Sequence, residues 1–123
     1  MKENPIVTKS YAFTVRVVRL YQYLETENRI DVLAKQVLRS GTSVGANIEE
    51  AIAGQSTLDF IHKLSVARKE ARESSFWLRL LHDTGYLKSE QFESIHKDCV
   101  ELIKILNSII ITNKKKLESK SNS

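Results

Sequence analysis

Apolar residues recur along this chain at steps of three and four, the period that lays one face of an α-helix against a core. The clearest run is Phe60, Leu64, Ala67, Ala71, Ser74, Leu78 and Leu81, which steps by 4, 3, 4, 3, 4 and 3 and makes a heptad seam. A second run, Phe92, Ile95, Cys99, Leu102, Leu106 and Ile109, steps by 3, 4, 3, 4 and 3. Upstream, Val7, Tyr11, Val15 and Val18 form one stripe, and Phe13, Val17, Leu20 and Leu24 form another. Together they are wider than the ~100° stripe of a surface helix, so the first helix carries apolar surface beyond what one bundle buries. A remaining helix carries Leu33, Val37, Val44, Ile48 and Ile52.

Polar residues and glycines mark the ends. Asn4-Pro5 reads as an N-cap followed by proline at the first helical position, and the first helix is expected to run to about Glu25. Thr26, Glu27 and Asn28 make the first connection, and Asn28 with Asp31 resembles a capping arrangement. The second helix has a small, polar middle, Ser40-Gly41-Thr42-Ser43-Val44-Gly45-Ala46-Asn47. Each internal glycine costs roughly 1 kcal/mol relative to alanine. Either the helix breaks there, or it continues and its small residues let a neighbour approach closely; the unbroken 3–4 spacing favours continuity. Gly54 is a stop, Ser56-Thr57-Leu58-Asp59 a cap with an acidic first turn, Thr84-Gly85 a second stop, and Ser89 with Glu90 the opening of the fourth helix. The expectation is an all-α, up-down-up-down antiparallel four-helix bundle over residues 1–113. Residues 114–123 read as a frayed, disordered basic tail, and no repeat or second domain is visible.

Composition narrows the class further. A chain of 123 residues suits one domain. One proline and four glycines are too few for the turns of an all-β domain. The single cysteine, Cys99, excludes an internal disulfide and an all-Cys zinc site, so a cytoplasmic location is expected. No apolar stretch follows the opening Met-Lys-Glu-Asn-Pro, so no signal peptide is expected, and no window approaches the ~18 apolar residues of a membrane span. The net charge of +4 points first to nucleic acid. From Lys114 onward, however, four lysines stand against one glutamate, so only +1 remains on residues 1–113.

Candidate chemistry is sparse. Glu93-x-x-His96 and Asp59-x-x-His62 have the spacing of di-metal bundle sites. Each lies near the start of one of two consecutive antiparallel helices, so they are roughly 30 Å apart at ~1.5 Å per residue. Arg79-Leu80-Leu81-His82 puts two residues between arginine and histidine, where HEPN-type bundle ribonucleases use four to six. Cys99 lies on an apolar seam, unlike a thiolate nucleophile. Gly41 and Gly45 are not followed by Gly-Lys-Ser/Thr, so there is no phosphate loop. Trp77, Tyr11, Tyr21, Tyr23 and Tyr86 are of a kind that stacks on bases, but their helical spacing suits core and interface positions. No catalytic residue, cofactor, metal or small-molecule substrate is inferred. The cations that nucleic acid could meet are Arg16, Arg19, Lys35 and Arg39, if assembly gathers them, and Lys114, Lys115 and Lys116 in the tail.

One segment has a family look. Arg39-Ser40-Gly41-Thr42-Ser43-Val44-Gly45-Ala46-Asn47-Ile48-Glu49-Glu50-Ala51 resembles the signature of the four-helix-bundle 23S rRNA intervening-sequence proteins. Ser10-Tyr11-Ala12-Phe13, Leu20-Tyr21, Ser56, Asp59-Phe60, Leu64, Ala67, Glu70, Glu73, Trp77-Leu78 and Asp83-Thr84-Gly85-Tyr86-Leu87 fit the same family, over roughly residues 4–112. The resemblance implies a small bacterial cytoplasmic bundle with no established enzymatic activity. It also implies relatives that assemble as ring-shaped homopentamers, one of them a basic accessory protein of diversity-generating retroelements that binds nucleic acid and a reverse transcriptase. The near-neutral body of this chain departs from that relative. Within the signature, a polar Asn47 among small residues needs partners if buried, since an unpaired amide costs ~1–3 kcal/mol. Arg39, Asn47 and Glu50 are therefore expected to form a hydrogen-bond network, with Ser40 among the small residues that permit close approach. The functional expectation is a non-enzymatic homo-oligomeric scaffold, a pentamer by resemblance, that binds RNA, DNA or a nucleic-acid-bound partner. The alternative is a protein-interaction module with no nucleic-acid role.

Overall fold

The computed structural model describes residues 4–28 and 31–121. It contains four helices, α1 (Pro5–Asn28), α2 (Val32–Ile52), α3 (Thr57–Asp83) and α4 (Ser89–Ser121). Residues 1–3, 29–30 and 122–123 and the side chains of Asn28 and Ser121 lie outside the description, and with them the Asn28 half of the expected α2 cap and the last two residues of the expected tail.

The helix ends follow the local chemistry. The Asn4 side chain accepts from the Ile6 amide at 3.3 Å, with Pro5 at the first helical position where no donor is needed. α1 runs three residues past Glu25. Asp31 caps α2 without a side-chain hydrogen bond. Ser56 accepts from the Asp59 amide at 3.0 Å. After α3, Gly85 sits at φ +88°. The Tyr86 amide reaches back to the Leu81 carbonyl at 2.8 Å, and that of Gly85 to His82 at 3.1 Å. This pair of bonds is the Schellman close, which needs a left-handed residue.

α2 is unbroken through Gly41 and Gly45. Contacts between helices run in opposite senses. From Ser10 and Thr14 to Val17 on α1, the facing α2 residue falls from Gly45 to Gly41. Arg68, Ser75 and His82 on α3 meet Asn107, His96 and Ser89 on α4, while Lys9 and Arg16 on α1 meet Glu101 and Asp98. Sequential helices therefore pack antiparallel and α4 closes the ring onto α1. The core follows most of the predicted seams: Phe13, Val17, Leu20 and Leu24; Val37, Val44 and Ile48; Leu64, Ala67, Ala71, Leu78 and Leu81; Ile95, Cys99, Leu102 and Leu106. Ile6, Ala34, Ala51, Ile61 and Leu87 join it, whereas Leu33, Phe60 and Phe92 are only half-buried and Ile52 is exposed. At the end of α4 it is Ile110 that is buried, with Ile109 only half-buried. A straight helix drifts about 20° per heptad from a 3.5 repeat, and that drift turns Ile110 inward.

The expected tail is corrected. Residues 114–121 continue α4. Lysine and leucine are good helix formers, the Asn113 amide group donates to the Ile109 carbonyl at 2.8 Å, and Leu117 packs half-buried against the core. Lys114, Lys115 and Lys116 thus project from the last turns of a helix. Among the described residues no helix is long and apolar enough to cross a membrane.

Candidate functional site

The signature segment of α2 does two jobs inside the bundle. Toward α1 it offers no side chain. A Cβ on Gly41 would lie 2.6 and 2.7 Å from the two methyls of Val17, and one on Gly45 would strike Thr14 Oγ1. Both glycines are therefore filled by α1. Toward α3, Ser40 and Ser74, both fully buried, place their hydroxyls 2.9 Å apart. Ser40 donates to the Gln36 carbonyl at 3.0 Å, and Ser74 lies 2.9 Å from the Glu70 carbonyl, so each hydroxyl is satisfied without water.

Arg39 does not meet Asn47 and Glu50. Its guanidinium crosses to α3, where it pairs with Glu73 and lies 3.5 Å from Glu70. Glu73 also accepts from Trp77 Nε1 at 3.3 Å. Burial pushes the Glu73 carboxyl up, but the hydrogen bonds from Trp77 and Arg39 and the Arg39 charge outweigh it and hold the group below its ordinary value. Asn47 instead donates to the Ser43 carbonyl at 2.9 Å, and Glu50 is exposed. The expected network fails for a geometric reason. Eight residues of helix separate Arg39 from Asn47 by about 12 Å, while two carboxylates stand directly across the groove.

The cations singled out for nucleic acid are not gathered. Arg16 donates to Asp98 at 2.5 Å and to the Ser94 side chain at 2.8 Å, toward α4. Arg19 is exposed beside them, at a shallow groove with Tyr23 and Gln91. Lys35 pairs with Asp31 at 3.1 Å, and Arg39 faces α3. Two lie on the α1–α4 side and two on α2, with three of the four neutralised by carboxylates. Cys99 is in the core, its sulfur 3.2 Å from the Ala71 carbonyl; burial, with the Asp98 charge, pushes the thiol up to about 12.

Two surfaces remain. On the α1–α2 face, Tyr11 is 65% and Val15 40% exposed beside a mostly apolar groove lined by Ser10, Thr14, Thr42, Gly45, Ala46 and Glu49. On the α3–α4 face, Phe92 is stacked between His82 and His96, with ring centroids 4.5 and 4.8 Å away. His96 Nε2 lies 2.8 Å from Ser75 Oγ, and its pKa is lowered by burial and by Arg79. Asp59 and His62 sit at the far end of α3, remote from Glu93 and His96. The basic stripe of α3 along this face was not among the sequence candidates, although Arg68, Arg72, Ser75, Arg79 and His82 step by 4, 3, 4 and 3.

Comparison with known proteins identifies the fold and signature together. The sequence profile of the 23S rRNA-intervening sequence proteins matches residues 2–108. The chain belongs to that family. A solved structure similar to it is a protein of unknown function from the S23 ribosomal protein family of Bacteroides thetaiotaomicron. The two are 52% identical with a TM-score of 0.84, over 85% of this chain and 97% of the other. No curated protein matches. In this member of the family, the signature's glycines seat α1, Ser40 bridges to α3, and Arg39 joins the downstream family positions Glu70, Glu73 and Trp77 in one surface cluster.

Proposed function

We propose that this family member is a non-enzymatic homo-oligomeric scaffold of the bacterial cytoplasm that carries a nucleic acid or a nucleic-acid-bound partner. The observation that carries the assembly is the exposed apolar stripe of α1. Tyr11 and Val15 stand in water beside a groove of small residues, and the half-buried Val7 and Val18 extend the same stripe. An exposed aromatic next to an apolar groove is the composition of an interface core. Five copies is the number the resemblance implies. A free, unreactive thiol at Cys99 suits a reducing compartment. The engagement of Cys99 with a backbone carbonyl and of His96 with Ser75 supports structural roles for these groups.

The test is the mass of Tyr11→Lys/Val15→Lys against Lys35→Gln by light scattering. A charge pair in the interface is expected to release 14.1 kDa monomers while Lys35→Gln keeps the parent mass. If both variants keep the parent mass, the α1–α2 face is not the contact. The second reading, a protein-interaction module without nucleic acid, rests on the neutralised cations of α1 and α2, and the salt dependence of nucleic-acid binding separates the two.

A further inference from the structure

The α3–α4 face holds a concentration of unneutralised positive charge. Arg68 reaches α4 by donating to Asn107 Oδ1 at 3.0 Å, leaving the rest of its fork free of carboxylates. Arg72 is one turn on, on the stripe that Arg68, Ser75 and His82 define by their α4 contacts, and it is exposed. Arg79 is exposed too, its guanidinium 6.0 Å from the centroid of the Phe76 ring. On α4, Lys104 lies three residues before Asn107, the partner of Arg68, and lines a shallow surface hollow with Glu93, His96, Lys97, Val100 and Glu101. Among the described residues none of Arg68, Arg72, Arg79 and Lys104 has an ion pair, in contrast to Arg16, Lys35 and Arg39. The nearby acids are Asp83, 3.1 Å from His82, Glu101, which Lys9 occupies, and Glu93. Phe76 is 49% exposed, between Arg72 and Arg79 at i+4 and i+7 of one helix face, and Trp77 packs edge-on against it at 5.0 Å.

We propose that this α3–α4 face binds the backbone of a single-stranded nucleic acid, with Arg68, Arg72, Arg79 and Lys104 on phosphates and Phe76 as the ring on which a base stacks. Arginine forks suit phosphate oxygens. From Arg68 to Arg79 the helix rises about 16 Å, the length of about five phosphates at the ~3.4 Å spacing of a stacked strand. An exposed ring beside such a row of cations is the composition of single-strand grooves, where every base offers a π-face to stack. The choice of ligand class rests on the scaffold reading; the surface is separate from the α1–α2 contact.

The experiment is fluorescence anisotropy with labelled 20-mers of oligo(U) and oligo(dT), at 50 and 200 mM salt. Four phosphate contacts give a slope near −0.7 per contact on a single strand, so affinity is expected to fall roughly fifty-fold across that range. Arg72→Gln/Arg79→Gln halves the contacts, and its fall shrinks to roughly sevenfold by the same slope. Phe76→Ala weakens binding at least about fivefold at fixed salt. Lys35→Gln, with its charge on another face, changes neither. Circular dichroism checks that each variant melts as the parent does. The two oligonucleotides identify the strand: a preference for oligo(U) marks RNA through its 2′-hydroxyl, and equal binding marks a backbone reader. Three results overturn the proposal: no binding of either oligonucleotide at 50 mM salt, equal weakening by Lys35→Gln, or equally tight binding of a polyglutamate peptide. Light scattering on the same samples separates the claims. An assembly that ignores oligonucleotides sinks the α3–α4 site alone, and a monomer that binds them sinks the assembly alone.

Discussion

Gly41→Ala tests the seating of α1 on α2. Alanine in place of an internal helical glycine normally stabilises by about 1 kcal/mol. Here the new methyl would lie 2.6 and 2.7 Å from the Val17 methyls and 3.1 Å from Val17 Cβ. Val17 is fully buried and, being β-branched, has one favoured rotamer in a helix, so it cannot swing aside. Overpacking costs about 1–3 kcal/mol and outweighs the propensity gain, leaving a net loss of roughly 0–2 kcal/mol. The diagnostic is the sign in a second background. With Val17→Ala in place, both clashing methyls are gone and only the 3.1 Å contact with the residue 17 Cβ remains, so Gly41→Ala should recover up to about 1 kcal/mol of the propensity gain. The pair should therefore couple by roughly 1–3 kcal/mol. The assay is urea unfolding followed at 222 nm, at one fixed protein concentration because assembly is linked to stability. Stabilisation by Gly41→Ala in the parent, or additivity of the two changes, would refute the seating argument.

Further expectations follow from the same contacts. Glu73 has its folded pKa held down, so its contribution is present above the ordinary carboxylate value of 4.5 and is lost as pH falls through the lower folded value; melting scans from pH 6 to 3 should show a steeper acid loss in the parent than in Glu73→Gln. Cys99, with its thiol pushed up to about 12, should resist thiol reagents at pH 8 in the folded protein and react once urea unfolds it; rapid native labelling would contradict its burial. Ending the chain after Asn113 should cost stability through Leu117, measurable as a lower urea midpoint, whereas a mere tail would leave it unchanged. Glu50→Ala should leave the melting curve within about 0.5 kcal/mol of the parent, as exposed sites do, and a large loss would restore the Arg39–Asn47–Glu50 network.

The bundle was legible because it depends on spacing within each helix. The seams of α3 and α4, the Ser56 cap, the Gly85 stop and the continuity of α2 through two glycines all follow from local pattern. What sequence could not carry was which helix stands on which flank. Arg39 found Glu70 and Glu73 across a groove rather than Asn47 along its own helix. Arg16 was neutralised by Asp98, 82 residues away. The Lys114–Lys116 run read as solvated tail because one leucine, Leu117, decides that it packs. The stripe from Arg68 to His82 was written in the same 4–3 spacing as the core. Its meaning as a basic face appears only once α4 is known to lie alongside it and, among the described residues, its arginines are seen to form no ion pair.

The assembly itself is tested most directly by the light-scattering mass of the untagged chain at micromolar concentration. A pentamer gives a mass near five times the 14.1 kDa chain, falling when Tyr11 and Val15 are charged. A 14.1 kDa monomer under those conditions would contradict it.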